Sequence, residues 1–492
     1  MWREYHQATR HSVESLRRSQ HVLDWNNMPD PFRHYEGVPV LDLPAGPPPP
    51  SIPALQVLSG IKGQVETTEG APFLSQLLFY SAAISAAKIV PSTGYKYALR
   101  VNPSSGNLHP TEFHFVTRGL KNWPDGLYHY RVSSHMAEQR ATGFFEIPGE
   151  QNTVPLLFVM TSIAWREVWK YGNRAYRYCL LDIGHAWQAL AAAALAIGCQ
   201  AHAFGCFADD EVSSRCGFAQ DEWPMLLIEL RGAIPAAEPA TRTPSWFGGE
   251  PNRLSERTGS YPLIDSIHSA TKRLVEMPVQ GGPPAGVVPS GGARLPEPAA
   301  SAAAFGDVAR RRRSALDFIG GESSMTLSEL SAILQAASGS LASDFSSGSF
   351  LRMYLYVHRV EGLEPGLYRY WPGESAVERI RSGDQRVAAA GLSLGQDLAG
   401  NACVALSITG DLERAARLHG DRGYRYVHFE AGAVGHRMYL AAGALGLGAT
   451  GIGAFFDERA HQYLELETGE GQVVYHFAIG YPVPDPRLSA VD

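Results

Sequence analysis

The chain has 492 residues, 45% of them hydrophobic and 18% charged, with a formal net charge of −7. At roughly 100–200 residues per domain this is a globular chain of two to four cores. The acidic balance, broken only by the short run Arg310–Arg313, argues against a phosphate-backbone partner such as DNA or RNA.

In chain order, a polar arm comes first (residues 1–54), closed by the Pro-rich stretch LPAGPPPPSIPA. A first domain is assigned to residues 55–276. Its motif NPSSGNLHP, Asn102–Pro110, predicts a tight turn, which Gly106 and Pro103 allow, while Ser104, Ser105 and Asn107 offer donors and acceptors to a ligand ring. FHFVT then alternates as a strand does, and PLLFVMTS is a short apolar run that predicts a buried strand. After Lys170, Tyr171 and Gly172, apolar residues fall at Tyr176, Cys179, Leu180, Ile183, Trp187 and Leu190, which is helical spacing, with Gly198 as the C-cap. Residues 277–304 are rich in Pro, Gly and Ala and read as a linker; a second domain is assigned to 305–492.

The second domain repeats the first in order. FLSQLL answers TLSELSAIL, SSGNLHPTEFHFVTR answers SSGSFLRMYLYVHR, and GLYHY answers GLYRY. WKYGNRAYRY (Trp169–Tyr178) answers RLHGDRGYRY (Arg417–Tyr426), pairing Tyr176 with Tyr424, Asp182 with Glu430, Gly184 with Gly432 and Phe207 with Phe455. The fold class is therefore α+β, two related domains pairing as an internal pseudo-dimer. Arg174, Tyr178 and Asp182 recur as Arg422, Tyr426 and Glu430 and read as a structural polar stripe, and His185 as a helix histidine. Five cysteines without a CxxC pair, no signal-peptide core and no uninterrupted apolar run of ~18 residues point to a cytoplasmic protein outside the membrane. No metal-ligand spacing and no Rossmann glycine motif occur.

The arm, PSSGNLHPTEFHF, WKYGNRAYRYCLLDIGH, RRRRSALDF and GLGATGIGAFFDE together resemble the FMN-dependent nitroreductase superfamily. The tandem arrangement resembles its SagB/ThcOx-type dehydrogenases, which oxidise azoline rings to azoles. The resemblance implies FMN at the domain interface. Arg312, Arg313, Ser314 and Arg487 would bind its phosphate, with more weight on Arg487 because Leu316 stands where a basic residue is common. Pro103, Ser104, Ser105 and Asn107 would cover the ring, and Gly453 and Ala454 would approach it through backbone. Each half keeps what the other lacks, so one site per chain is expected.

In this family the Lys-Tyr pair is the catalytic signature, here Lys170 and Tyr171, replaced in the other half by Leu418 and His419. Tyr171 would be the base and Lys170 the cation that lowers its pKa. Gly172 is expected to place the pair in irregular structure, or only one of them toward the ring. The implied substrate is a small-molecule or peptide-linked heterocycle and the electron acceptor molecular oxygen. The competing readings are an NAD(P)H-dependent nitro or quinone reductase and a non-catalytic flavin- or peptide-binding module.

Overall fold

The computed structural model describes residues 1–239, 243–275, 292–321, 323–346, 349–466 and 471–489. Most of the expected linker lies outside the described residues, as do parts of the loop AAEPATRTPSWFGG and of the SSGSF segment.

The first half opens with helix α1 (Trp2–Ala8) and a β-hairpin of β1 (Ile84–Ile89) and β2 (Lys96–Arg100). Strands β3 (Thr111–Thr117), β4 (Gly126–Arg131), β5 (Met136–Thr142) and β6 (Leu156–Ser162) follow. Then come helices α2 (Ala164–Tyr171) and α3 (Ala175–Ala196) and strands β7 (Cys199–Phe204) and β8 (Trp223–Gly232). The second half runs through α4 (Pro262–Thr271), α5 (Phe305–Arg311), β9 (Leu351–Val357), β10 (Gly366–Trp371), β11 (Ala376–Ser382) and β12 (Val404–Gly410). It ends with α6 (Leu412–His419), α7 (Gly423–Ala444), β13 (Gly448–Ile452) and β14 (Gln472–Gly480).

Both halves build the same antiparallel sheet, β5-β4-β3-β6-β8-β7 and β11-β10-β9-β12-β14-β13. The alternating and apolar strands of the sequence are its central members. β3 and β6 are buried along their whole length, as are the neighbouring residues of β8, so these strands carry apolar residues on both faces.

The two 22-residue helices α3 and α7 are buried almost end to end and cross at the pseudo-twofold axis. A Cβ on Gly184 would lie 2.2 Å from the Phe429 carbonyl oxygen, and one on Gly432 would lie 2.0 Å from that of Leu181. Only glycine lets the backbones meet this closely. The stretch Ala164–Ala196 is long and apolar enough to cross a bilayer, but 89% of its apolar window is buried inside the protein.

Ion pairs repeat across the axis. Arg174 and Arg177 of the first half reach Asp457 at 2.8 and 2.7 Å; Arg422 and Arg425 of the second reach Asp209 at 2.7 and 2.6 Å. All six side chains are buried.

The arm also has a counterpart. His6 and Thr9 in and just after α1 correspond to His268 and Thr271 of α4: the Thr9 carbonyl accepts from Arg174 and the Thr271 carbonyl from Arg422. α1 and the residue before it are held by the second half through Asp421 and Glu413, and α4 packs on the first half, with His268 stacked on Trp223 at 3.8 Å. α1 and α4 thus hold matching places in the two halves, α4 lying inside the span assigned to the first domain. The sequence missed this because the shared signal is only His-x-Ala-Thr followed by a basic residue.

Candidate active site

Where the two halves meet, α3 and the β2–β3 loop of the first face α5, α7 and β13 of the second. Between them lies a cavity of about 390 Å³, inside the range of small-ligand sites. Its wall includes Arg100, Asn102–Asn107, Tyr171, Asp182, Arg312–Ser314, Tyr439 and Gly451–Ala454.

One end is cationic. Arg312 is buried and donates to the Val101 and Arg100 carbonyls, while its Nη1 has no partner among the described residues. Arg313 donates to Ser85 and to carbonyls of its own turn. Arg100 leaves Nε and Nη1 unpartnered. Burial, with the neighbouring arginines, pulls Arg313 down to about 9, and burial takes Arg100 down to about 10. The fold is holding more positive charge than it neutralises there, and an anion would relieve it. Ser314 Oγ lies 2.8 Å from the Tyr439 hydroxyl, which in turn accepts from the Gly451 amide.

The lining also offers amides. Among the described residues, the Gly453 and Ala454 N–H groups donate to no protein acceptor. Gly453 cannot be larger, since its Cβ would lie 2.4 Å from the Tyr178 ring. In the pseudo-symmetric place the corresponding amides are taken. Gly205 and Cys206 donate to the Asp344 carboxylate at 2.8 and 3.1 Å, and Phe345 stacks on Tyr426 at 4.4 Å. Asp344 and Phe345 align with Asn102 and Pro103. The second half therefore closes its own copy of the wall with a side chain.

The sequence motifs are distributed differently from expectation. Ser104 and Ser105 line the cavity, but their hydroxyls and the Ser105 amide donate to Asp182. Asn107 donates through Nδ2 to the Ala98 carbonyl, and its Oδ1 accepts from His109 Nε2. These groups build the loop rather than reach into the cavity. Gly106, Asn107 and His109 all have φ between 50° and 61°, a left-handed conformation uncommon outside glycine that clusters at functional sites. Arg487 does not line the cavity, because Asp485, two residues away, holds its guanidinium through two 2.8 Å bonds. Arg100 and Lys88, the latter 2.9 Å from Asp485, supply the charge on that side instead.

α2 ends at Tyr171, stopped by Gly172 at φ 55°. Of the Lys-Tyr pair only Tyr171 lines the cavity. Both side chains flank Gly106: a Cβ there would be 2.6 Å from Tyr171 Oη and 2.9 Å from Lys170 Nζ. The expectation that lysine depresses the tyrosine is overturned. Burial, then Glu167, Tyr178 and Asp182, hold the Tyr171 hydroxyl well above its ordinary value. Glu167 and Asp182 were not singled out as chemical groups by the sequence reading. Asp182 is pushed up to about 7 by burial, against the lowering effect of its serine donors. His185, read as a helix histidine, also lines the cavity, with its Nε2 on the Tyr475 hydroxyl at 2.9 Å. Tyr178 of the supposed stripe lines it too.

A protein of Methanocaldococcus jannaschii that carries the nitroreductase name is 37% identical over 168 residues, 33% of this chain and 84% of that one. The chain belongs to the nitroreductase family. The family model for the nitroreductase family matches residues 309–481, within the second half. The tandem arrangement as a whole is matched by a crystal structure from Anabaena variabilis described as a nitroreductase. It has a TM-score of 0.78 and 25% identity, covering 98% of this chain and 99% of that one. The nitroreductase-family chain described here is thus an oxidoreductase by kinship, with its two halves disposed as in that full-length relative.

Proposed function

We propose that this chain is an FMN-dependent dehydrogenase or oxidase that converts a thiazoline or oxazoline to the azole in a peptide-derived or carrier-bound intermediate, with molecular oxygen as final acceptor. The observation that carries this reading is the Tyr171 hydroxyl beside Gly106, in the same cavity that Gly453 and Ala454 line with amides bonded to no acceptor among the described residues. The other half has His419 at that position and has filled its amide wall.

The residues fit the cofactor. Arg312, Arg313 and Ser314 would hold the phosphate, with Arg100 adding charge; Pro103 would cover the ring, and the Gly453 and Ala454 amides would meet its polar edge. FMN bound there would supply a two-electron acceptor. The protein's own task is to exclude water, orient the heterocycle and carry away the proton that leaves the ring carbon. Tyr171 Oη is placed for the last task, and as a protonated hydroxyl it works as a proton carrier rather than a standing phenolate.

Flavin released per chain, azole formation from an azoline peptide under oxygen, and the Tyr171→Phe and Arg312→Ala variants test this. The expected results are one FMN per chain, its loss in Arg312→Ala, and a roughly 10²–10⁴-fold slower Tyr171→Phe that keeps its flavin. NAD(P)H-driven reduction of nitroarenes or quinones is the second reading, favoured by the name of the M. jannaschii relative. Rapid NADPH-nitroarene turnover indifferent to Tyr171→Phe would replace the first reading with it. Two flavins per chain would overturn the single site.

A further inference from the structure

We propose that Glu167 is a positioning residue behind Tyr171: its carboxylate takes the phenolic proton as Tyr171 Oη takes a proton from the substrate, so that helix α2 carries a two-member proton relay. This rests on the reading of Tyr171 given above and deepens it.

Glu167 precedes Tyr171 by one helical turn, so the two side chains share a face of α2. It is fully buried, and its carboxyl group faces the Asp182 carboxyl and the Ser104 hydroxyl of the neighbouring elements. Two carboxyls buried side by side cannot both ionise without a large cost, and such a pair calls for a reason. The groups that act on it come from three elements. α3 contributes Asp182 and Cys179, the β2–β3 loop contributes Ser104, and α2 itself contributes Lys170 and Tyr171. Burial first, and then the Asp182 carboxyl, raise Glu167 well above the usual carboxylate range, against a smaller opposing pull from Lys170. Such a carboxylate is a far stronger base than an exposed one.

The comparison inside the chain is the independent observation. At the position of Glu167 the second half has Ala415, at Lys170 Leu418 and at Tyr171 His419, while the partner of Asp182 is kept as Glu430. Glu430 is bonded to Ser346 and the Phe350 amide, as Asp182 is to its serines. The loop-anchoring carboxylate thus belongs to the fold in both halves. Glu167 occurs only where Tyr171 does.

The balance is simple. The substrate C–H bond breaks and a proton joins Tyr171 Oη; the Tyr171 O–H bond breaks and its proton joins Glu167. The electron pair left on carbon becomes the new ring double bond as the adjacent carbon gives up a hydride to the flavin-class acceptor proposed above. No hydrogen bond links Glu167 and Tyr171 Oη among the described residues, so the relay requires one bridging water or a rotamer change.

The test uses the full chain with FMN, ¹³C-labelled at glutamate. Isotope-edited infrared difference spectra of wild type against Glu167→Gln, in which the buried Glu430 carboxyl cancels, should show a protonated carboxyl band that disappears as pH rises, with the midpoint of the acidic limb of the rate profile. Glu167→Gln should lose the band and that limb and turn over about 10²-fold or more slowly, with flavin content unchanged. Glu167→Ala should fold, because Ala415 occupies the same place in α6, and should be equally slow. Wild-type rate and pH profile in Glu167→Gln, or no titrating band in the difference spectrum, would overturn the relay. If Tyr171→Phe is slow and Glu167→Gln is not, the relay alone fails. If Tyr171→Phe is also unaffected, the proposed function fails with it.

Discussion

Asp457→Asn is the most informative single change. The Asp457 carboxylate is buried and takes three bonds: Arg174 at 2.8 Å, Arg177 at 2.7 Å and the His11 amide at 2.8 Å. Against burial, the two guanidiniums pull it from 3.8 down to about 2, a differential of on the order of 2 kcal/mol. Removing the charge also strands two buried arginines, and breaking such a pair typically costs ~3–5 kcal/mol. A loss of about 3–5 kcal/mol is therefore expected in guanidinium unfolding followed by far-UV circular dichroism. Because the folded-state value is depressed, this stability is present above about pH 4 and fades as pH falls toward 2. Asp209→Asn, its pseudo-symmetric counterpart bonded to Arg422 and Arg425, should lose a similar amount. The two should part at the cavity. Arg174 also donates to Tyr178 and the Gly453 carbonyl, so only Asp457→Asn should weaken flavin binding. A loss below about 1 kcal/mol, or equal effects on flavin affinity from both variants, would refute this account of the crossed ion pairs.

Gly184→Ala should lower the melting temperature and cost about 1–3 kcal/mol or more, because its Cβ meets the backbone of α7 rather than a yielding side chain. Gly443→Ala, whose Cβ finds only Val308 at 3.4 Å, should be neutral or stabilising by up to ~1 kcal/mol. Asp182 and Glu430 are both raised to about 7, so the stability tied to their protonated forms is full below about pH 4 and lost as pH rises through 7. Asp182→Asn should flatten the decline of stability over that window by up to ~1.4 kcal/mol per pH unit in denaturant titrations at stepped pH. Asn102→Asp combined with Pro103→Phe should copy the closed wall of the other half, and absorbance of released flavin should fall well below one per chain with the fold intact.

The repeat was legible wherever it ran through a helix at constant spacing. Tyr176 with Tyr424, Gly184 with Gly432 and Asp182 with Glu430 could be aligned residue by residue, and each pair is related across the axis. The cationic end was legible because RRRRS is a local run. What lay hidden depends on contacts between distant segments. Nothing near Asp457 or Asp209 announces that each serves arginines of the opposite half. Glu167 looks like an ordinary helix glutamate until the fold buries it beside Asp182. Arg487 matched a pattern, yet Asp485 two residues earlier captured it. The serines and asparagine of the β2–β3 loop promised donors, but a turn with three left-handed residues consumes such donors in holding its own shape.

The exchange of first helices has a further consequence. α1 leans on the later half and α4 on the earlier one, so scission between the repeats would leave each fragment missing a brace that only its sibling carries. A homodimer of identical subunits must keep both chambers alike, because every substitution appears twice. Joined in one polypeptide, the halves can specialise separately: one chamber can gain an acid, a base and an aromatic while the other turns inert, with the shared seam left untouched.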